Sequence, residues 1–312
     1  MSVIIVIYHY NFFILEWKSD VYFRGGYVSV DAFFVISGFF CAALLSSMPP
    51  GSSFLSWLKR RLRSLYPYYV TALLFAVISS LIMNGLCDMK GILAMMEELL
   101  MIHEWGIVSF QYYNGATWYI SAMLFVSCAY FFISEKFSRE NQLRVIATAA
   151  LLCLSVILLK FGHIHVHGVV KRHISLGVMR AFAGMGIGWL LFTLKDKFRL
   201  AHSGLMFLLS VVMILVVALL AKDSCFDVVI YPASVLAVVS SSALTVGHEN
   251  LRGILSFSGR MSYALYLSHG TVLNILSRFA PEYSLLLFMS VSFIAALILM
   301  GLAWKLSELV KP

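Results

Sequence analysis

Residues 205–221 read LMFLLSVVMILVVALLA, and residues 285–303 read LLLFMSVSFIAALILMGLA. Both runs are apolar on every helical face, so neither suits a helix with one wet side. Crossing a hydrocarbon core takes roughly 20 mostly apolar residues. Runs of this kind recur from end to end of the 312 residues, of which 61% are hydrophobic and only 12% charged, with a mean hydropathy of +0.90. That composition excludes a water-soluble globule. It also excludes an outer-membrane barrel, whose strands would alternate in polarity over ~10 residues. The fold class expected is all-α, a polytopic integral membrane protein of about ten transmembrane helices.

The expected spans are 1–16, 31–47, 65–84, 118–134, 145–160, 176–194, 204–221, 226–246, 261–278 and 284–304. Loops of one sidedness carry 14 cations: Lys59, Arg60, Arg61, Arg63, Lys136, Arg139, Arg144, Lys195, Lys197, Arg199, Arg252, Arg260, Lys305 and Lys311. The opposite loops carry eight. The side richer in Lys and Arg faces the cytoplasm, so both termini are expected there. Loop distribution accounts for the net charge of +8, so no nucleic-acid partner is implied. The first run starts at Met1 without a basic flank and meets Glu16, Lys18 and Asp20 early. It lacks the cleavage site of a signal peptide. A basic cytoplasmic segment upstream of Met1 is therefore expected, and sequencing the DNA upstream tests that. Residues 84–117, facing outward, hold an apolar stretch with Glu97, Glu98, His103 and Glu104 on its polar positions, which suits an interfacial or re-entrant helix.

Ionisable groups inside apolar runs need a reason. His9 lies about seven residues before the outer end of the first span, roughly 10 Å below the interface. An imidazole titrates near neutrality, so in a dry cavity it can take a proton from a hydroxyl; it can equally just bond a neighbouring helix. Asp31 opens the second span near the same face. It could fix the tautomer of His9 or cap its own helix. At the inner face, Lys59, Arg60, Arg61 and Arg63 precede Tyr66-Pro67-Tyr68-Tyr69. Arginine forks beside aromatics suit a nucleotide-like anion such as coenzyme A, although positive-inside anchoring explains the same residues. His163, His165 and His167 alternate, so an extended segment would aim all three at one metal ion; a solvated outer loop beside Lys171 and Arg172 is the plainer account, and no metal is expected. Cys87 and Cys225 both map to the outer side, where a disulfide could form.

Several of these residues together resemble the membrane-bound acyltransferase 3 family, whose bacterial members O-acylate cell-surface glycans. His9 fits the family's first-span histidine, and the run from Gly26 to Phe39, GYVSVDAFFVISGF, is similar to its aspartate and FFxxSGF signature. Phe54 with Arg60, Arg61 and Pro67 is similar to its basic helix entry, Trp118-Tyr119-Ile120-Ser121 to its WxLS element, and the run from Gly259 to His269, GRMSYALYLSH, to its GxxSYxxYLxH element. The resemblance spans most of the chain. It implies one transmembrane acyltransferase domain over 1–312, in a bacterial inner membrane, with no permanently bound cofactor. Acyl-CoA, most simply acetyl-CoA, would be the donor, and a hydroxyl of a surface glycan or its lipid-linked precursor the acceptor. Carried over, His9 becomes catalytic base or relay and Asp31 its support. Arg60, Arg61 and Arg63 with Tyr66 become the acyl-CoA site, and Ser37, Trp118, Tyr263 and His269 motif residues for substrate or structure. Three positions depart from the pattern. The basic residue eleven before the histidine would precede Met1, Ser64 replaces the arginine three before the proline, and Met123 stands where many sugar-modifying members carry glutamate. The rival reading is a proton-coupled transporter or flippase of a glycan precursor or organic anion, with His9, Asp31 and Arg180 as its interior relay. An inactive membrane scaffold is a third.

Overall fold

A computed structural model describes residues 1–15, 22–85, 88–106, 113–170, 174–197, 202–243, 249–280 and 282–309. Among them are twelve α-helices: α1 Ser2–Phe13, α2 Ser29–Ser46, α3 Phe54–Leu62, α4 Tyr66–Asn84, α5 Met89–Leu99, α6 Trp118–Lys136, α7 Arg139–Phe161, α8 Leu176–Leu194, α9 Ser203–Leu220, α10 Ile230–Ala243, α11 Glu249–Phe279 and α12 Leu285–Leu309. The one β ladder among the described residues is antiparallel, two residues a side, Val169–Val170 with Ile174–Ser175. Glu16, Lys18, Asp20, Lys171, Arg172, Arg199 and Lys311 lie outside the described residues, as does Cys87 and with it the expected pairing to Cys225.

Eight segments are long and apolar enough to cross a bilayer, built on α2, α4, α6, α7, α8, α9, α10 and α12. The remaining two of the ten expected spans fall on α1, which has only 12 residues, and α11, which carries Arg252, Arg260 and Arg278. α11 is also longer than expected. Its 31 residues absorb the stretch around Arg252 and Arg260 that the sequence reading assigns to a loop. α5 occupies the stretch read as interfacial; Asp88 starts it by accepting the Gly91 N–H at 2.8 Å.

The bundle is sorted by what each helix faces. α6 and α8 form the interior, with 67% of their apolar stretches buried, against 17% for α7 and 22% for α9 and α12. On the outer helices large apolar side chains point away from the protein, Leu159 being 88% exposed, Leu286 77% and Ile82 75%. In water such a surface would drive aggregation; in lipid it is the solvated face. This is a multi-pass membrane protein.

The tightest seam joins α2 to α8, the pair with the most extensive contact. A Cβ at Gly38 would run into the Met185 backbone, and one at Gly188 into that of Val35. Small residues let two membrane helices approach to backbone contact. The glycine of the SGF stretch is thus explained by helix packing. This seam sets where the N-terminal ends of α2 and α8 stand relative to each other, and with them Asp31 and Arg180.

Candidate active site

His9, in the next-to-last turn of α1, and His269, on α11, meet from sequence positions 260 apart. Their Nδ1 and Nε2 atoms lie 2.8 Å apart, with ring planes 22° from parallel. His269 is 1% exposed, and its Nδ1 sits 2.6 Å from the Tyr266 carbonyl oxygen. A carbonyl only accepts, so His269 Nδ1 carries a proton. In the neutral ring its Nε2 is then an acceptor, so His9 Nδ1 carries the proton between the two rings. That leaves His9 Nε2 with its lone pair free. The tautomer follows from a main-chain carbonyl through two rings, without any carboxylate.

His9 and His269 line a cavity of about 420 Å³ together with Tyr8, Tyr27, Gly115, Ala116, Trp118, His165, His167, Arg180 and Tyr266. Its wall near His269 is fixed by the turn ahead of α6. Asn114 Nδ2 donates to the Leu267 carbonyl at 2.8 Å, and the Tyr266 hydroxyl to that of Ala116 at 2.7 Å. Glu98, buried at the end of α5, accepts from the backbone N–H groups of Tyr113 and Asn114. Burial pushes the Glu98 carboxyl up to about 8, the two N–H groups pulling the other way.

Asp31 does not touch His9. It lies in the first turn of α2, without capping it, and pairs with Arg180 of α8. Arg180 Nε reaches Asp31 Oδ1 at 2.9 Å and a terminal nitrogen reaches Oδ2 at 2.5 Å. The pair is completed by the Tyr231 hydroxyl on Oδ1 at 3.1 Å and by the Tyr27 carbonyl on the guanidinium at 2.9 Å. Two fully buried ions are tolerable because their polar atoms are satisfied in this way. Trp118 covers the guanidinium, its ring centre 5.6 Å from Arg180 Cζ. The expected support of His9 by Asp31 is therefore replaced: Asp31 holds a cation in the cavity wall, and His269 holds the imidazole. Sequence reasoning met Arg180 only inside the transporter reading. Nothing in a helical run identifies which of 312 residues neutralises a buried guanidinium.

The basic helix is at the other end of α2, 18 residues or about 27 Å along its axis. Arg60 and Arg63 are exposed there, Arg60 resting on Met48 Sδ at 3.6 Å. Arg61 turns inward. Its terminal nitrogen is 3.4 Å from Met123 Sδ, and its Nε is buried without a hydrogen-bond partner. Met123 follows Trp118 by five residues, about 7.5 Å along α6. Tyr66 faces elsewhere, its hydroxyl donating to the Leu99 carbonyl at 3.0 Å. Ser37 Oγ meets the Tyr119 hydroxyl at 2.6 Å, a link between α2 and α6, and the Tyr263 hydroxyl lies 3.5 Å from the Leu65 carbonyl. Of the motif residues, Trp118 and His269 line the cavity, while Ser37 and Tyr263 tie helices together away from it.

The histidines at 163, 165 and 167 do not converge on one point. His165 sits between the Tyr8 hydroxyl (3.1 Å) and Asp223 Oδ1 (2.8 Å), and His167 lies beside the Trp118 ring. Burial, with the Arg180 charge, pulls His165 down to about 4. It is thus neutral at physiological pH, donating through Nδ1 and accepting the Tyr8 O–H through Nε2.

An apolar bundle whose cavity is lined by an oriented imidazole pair and, in the same wall, a buried guanidinium paired with a carboxylate defines a membrane-embedded polar site suited to proton transfer. Residues 2–305 match the acyltransferase domain that defines the acyltransferase 3 family, and the chain belongs to that family. No curated protein and no solved structure gave a match. The protein is a membrane acyltransferase.

Proposed function

We propose that this acyltransferase moves an acetyl group from acetyl-CoA, arriving from the cytoplasm, to a hydroxyl of a surface glycan or its lipid-linked precursor at a bacterial inner membrane. The observation that carries the reading is His9 lining the cavity with its Nδ1 committed to His269, which leaves Nε2 as the nitrogen for proton transfer. It takes the hydroxyl proton as the acceptor oxygen attacks the thioester carbonyl carbon. A C–O bond forms, the carbonyl becomes an oxyanion beside Arg180, and its collapse breaks the C–S bond. His9 then returns the proton to the departing thiolate. Asp31 and Tyr231 keep Arg180 in place throughout, so its charge is preorganised for the oxyanion. His269 is a positioning residue for His9. Donor recognition falls to Arg61, with Arg60 and Arg63 at the mouth for coenzyme A phosphates. The inward turn of Arg61 onto Met123, five residues along α6 from the cavity-lining Trp118, supports a donor that extends from the basic helix toward the cavity. Tyr66 shapes the mouth by fixing α5 to α4.

The test is transfer of labelled acetyl from acetyl-CoA to surface polysaccharide in cells carrying the gene, with His9→Ala at equal expression as the comparison. Loss by ~10²–10⁴-fold is expected for a general base. Undiminished transfer by His9→Ala would end the catalytic assignment. Movement of a glycan precursor across vesicles without acetyl transfer would return the transporter reading.

A further inference from the structure

The outer wall of the cavity continues into a second cluster that acyl transfer does not use. Asp227, in the turn Cys225–Val229, is 0% exposed. Its Oδ2 accepts the Tyr27 hydroxyl at 2.7 Å, but its Oδ1 is buried with no hydrogen-bond partner. His163, just past the end of α7, likewise has a buried Nδ1 without a partner. Asp223 stands beside them on a left-handed turn residue at φ 52°. One ligand atom from each of His163, Asp223 and Asp227 lies within 4.8 Å of the others. Buried polar atoms are almost always satisfied, so two residues with orphaned atoms clustered with a third carboxylate call for a shared partner.

We propose that His163, Asp223 and Asp227 bind one divalent metal ion of the zinc class. An imidazole with two carboxylates suits Zn²⁺ better than the all-oxygen cages of Mg²⁺ or Ca²⁺. Metal–donor bonds of about 2.0–2.1 Å in a tetrahedron leave donors roughly 3.3 Å apart, so the set contracts by at most ~1.5 Å on binding. The Asp223 side chain, 54% exposed, is free to supply that movement. Two of the ligands already have the outer partners that orient metal-binding carboxylates: the Tyr27 O–H on Asp227 and the His165 N–H on Asp223. Tyr27 and His165 stack at 4.0 Å and both line the His9 cavity. The ion therefore fixes the cavity wall without entering the reaction.

Equilibrium dialysis of the purified, chelator-stripped protein against ZnCl₂, with metal counted by mass spectrometry, reads this out without any assay of acyl transfer. One zinc per chain and a higher melting temperature in Zn²⁺ are expected. His163→Ala, in a surface loop, and Asp227→Asn, which keeps an oxygen for Tyr27, should each return zinc to background, while His165→Gln retains it. No zinc above background in the wild type, equal retention by His163→Ala and Asp227→Asn, or binding of Mg²⁺ or Ca²⁺ in preference to Zn²⁺ would each overturn the proposal.

Discussion

His9 has two ring nitrogens, and one of them is committed to His269, which leaves the other for chemistry. His269→Ala removes the acceptor that fixes this arrangement while leaving His9 in the cavity. Its kcat should fall by less than the ~10²–10⁴-fold expected for His9→Ala, with KM for the acceptor little changed. A larger effect on KM than on kcat would make His269 a binding residue instead. The Arg180–Asp31 pair separates stability from chemistry. Asp31→Asn leaves a buried guanidinium poorly matched, at a cost of ~3–5 kcal/mol seen as a lower melting temperature in detergent. The double variant Asp31→Leu with Arg180→Met should regain much of that stability and still lack transfer, because the cation beside the oxyanion is gone. Recovery of transfer along with stability would remove Arg180 from the mechanism. At this scale the sequence showed which side chains were out of place in an apolar run, and their depth placed His9 and Asp31 near one face. It did not show partners: Arg180 is 149 residues from Asp31 and His269 is 260 from His9, separations that no helical period encodes.

Between helices, the cavity depends on a short element that does not cross the bilayer. The last turn of α5 carries Glu98, whose carboxyl holds the Tyr113 and Asn114 backbone and so the turn leading into Trp118. The folded protein keeps a proton on Glu98 up to about pH 8, whereas an unfolded chain releases it in the ordinary carboxylate range. The folded state thus binds more protons in between, and stability from this group falls as pH rises toward about 8 and then levels off. Relative to Glu98→Gln, the wild-type melting temperature should therefore drop between about pH 5 and 8. A difference independent of pH would show that Glu98 stays ionised. The apolar runs located the helices well because lipid imposes length and composition together. Boundaries near charges are less legible: α11 continues through Arg252 and Arg260, since a helix has no need to stop where the bilayer stops.

Across the whole molecule, we propose from loop charge that the face bearing Arg60, Arg61 and Arg63 is cytoplasmic, along with both termini. A fluorescent-protein fusion at the C-terminus should accordingly fold and glow, and an alkaline phosphatase fusion at the same point should be inactive. The opposite pair of results would turn the protein over and place the donor arginines outside. Within this frame, the chain of hydrogen bonds that prepares His9 ends at a peptide oxygen of α11. No codon change at position 266 deletes that oxygen, since every residue brings one. A gene under mutation can lose either imidazole in a single step, yet it reaches their shared anchor only by deforming the rod that bears it. Gly270→Pro, whose ring would press on the carbonyl four residues back, is the substitution that does so.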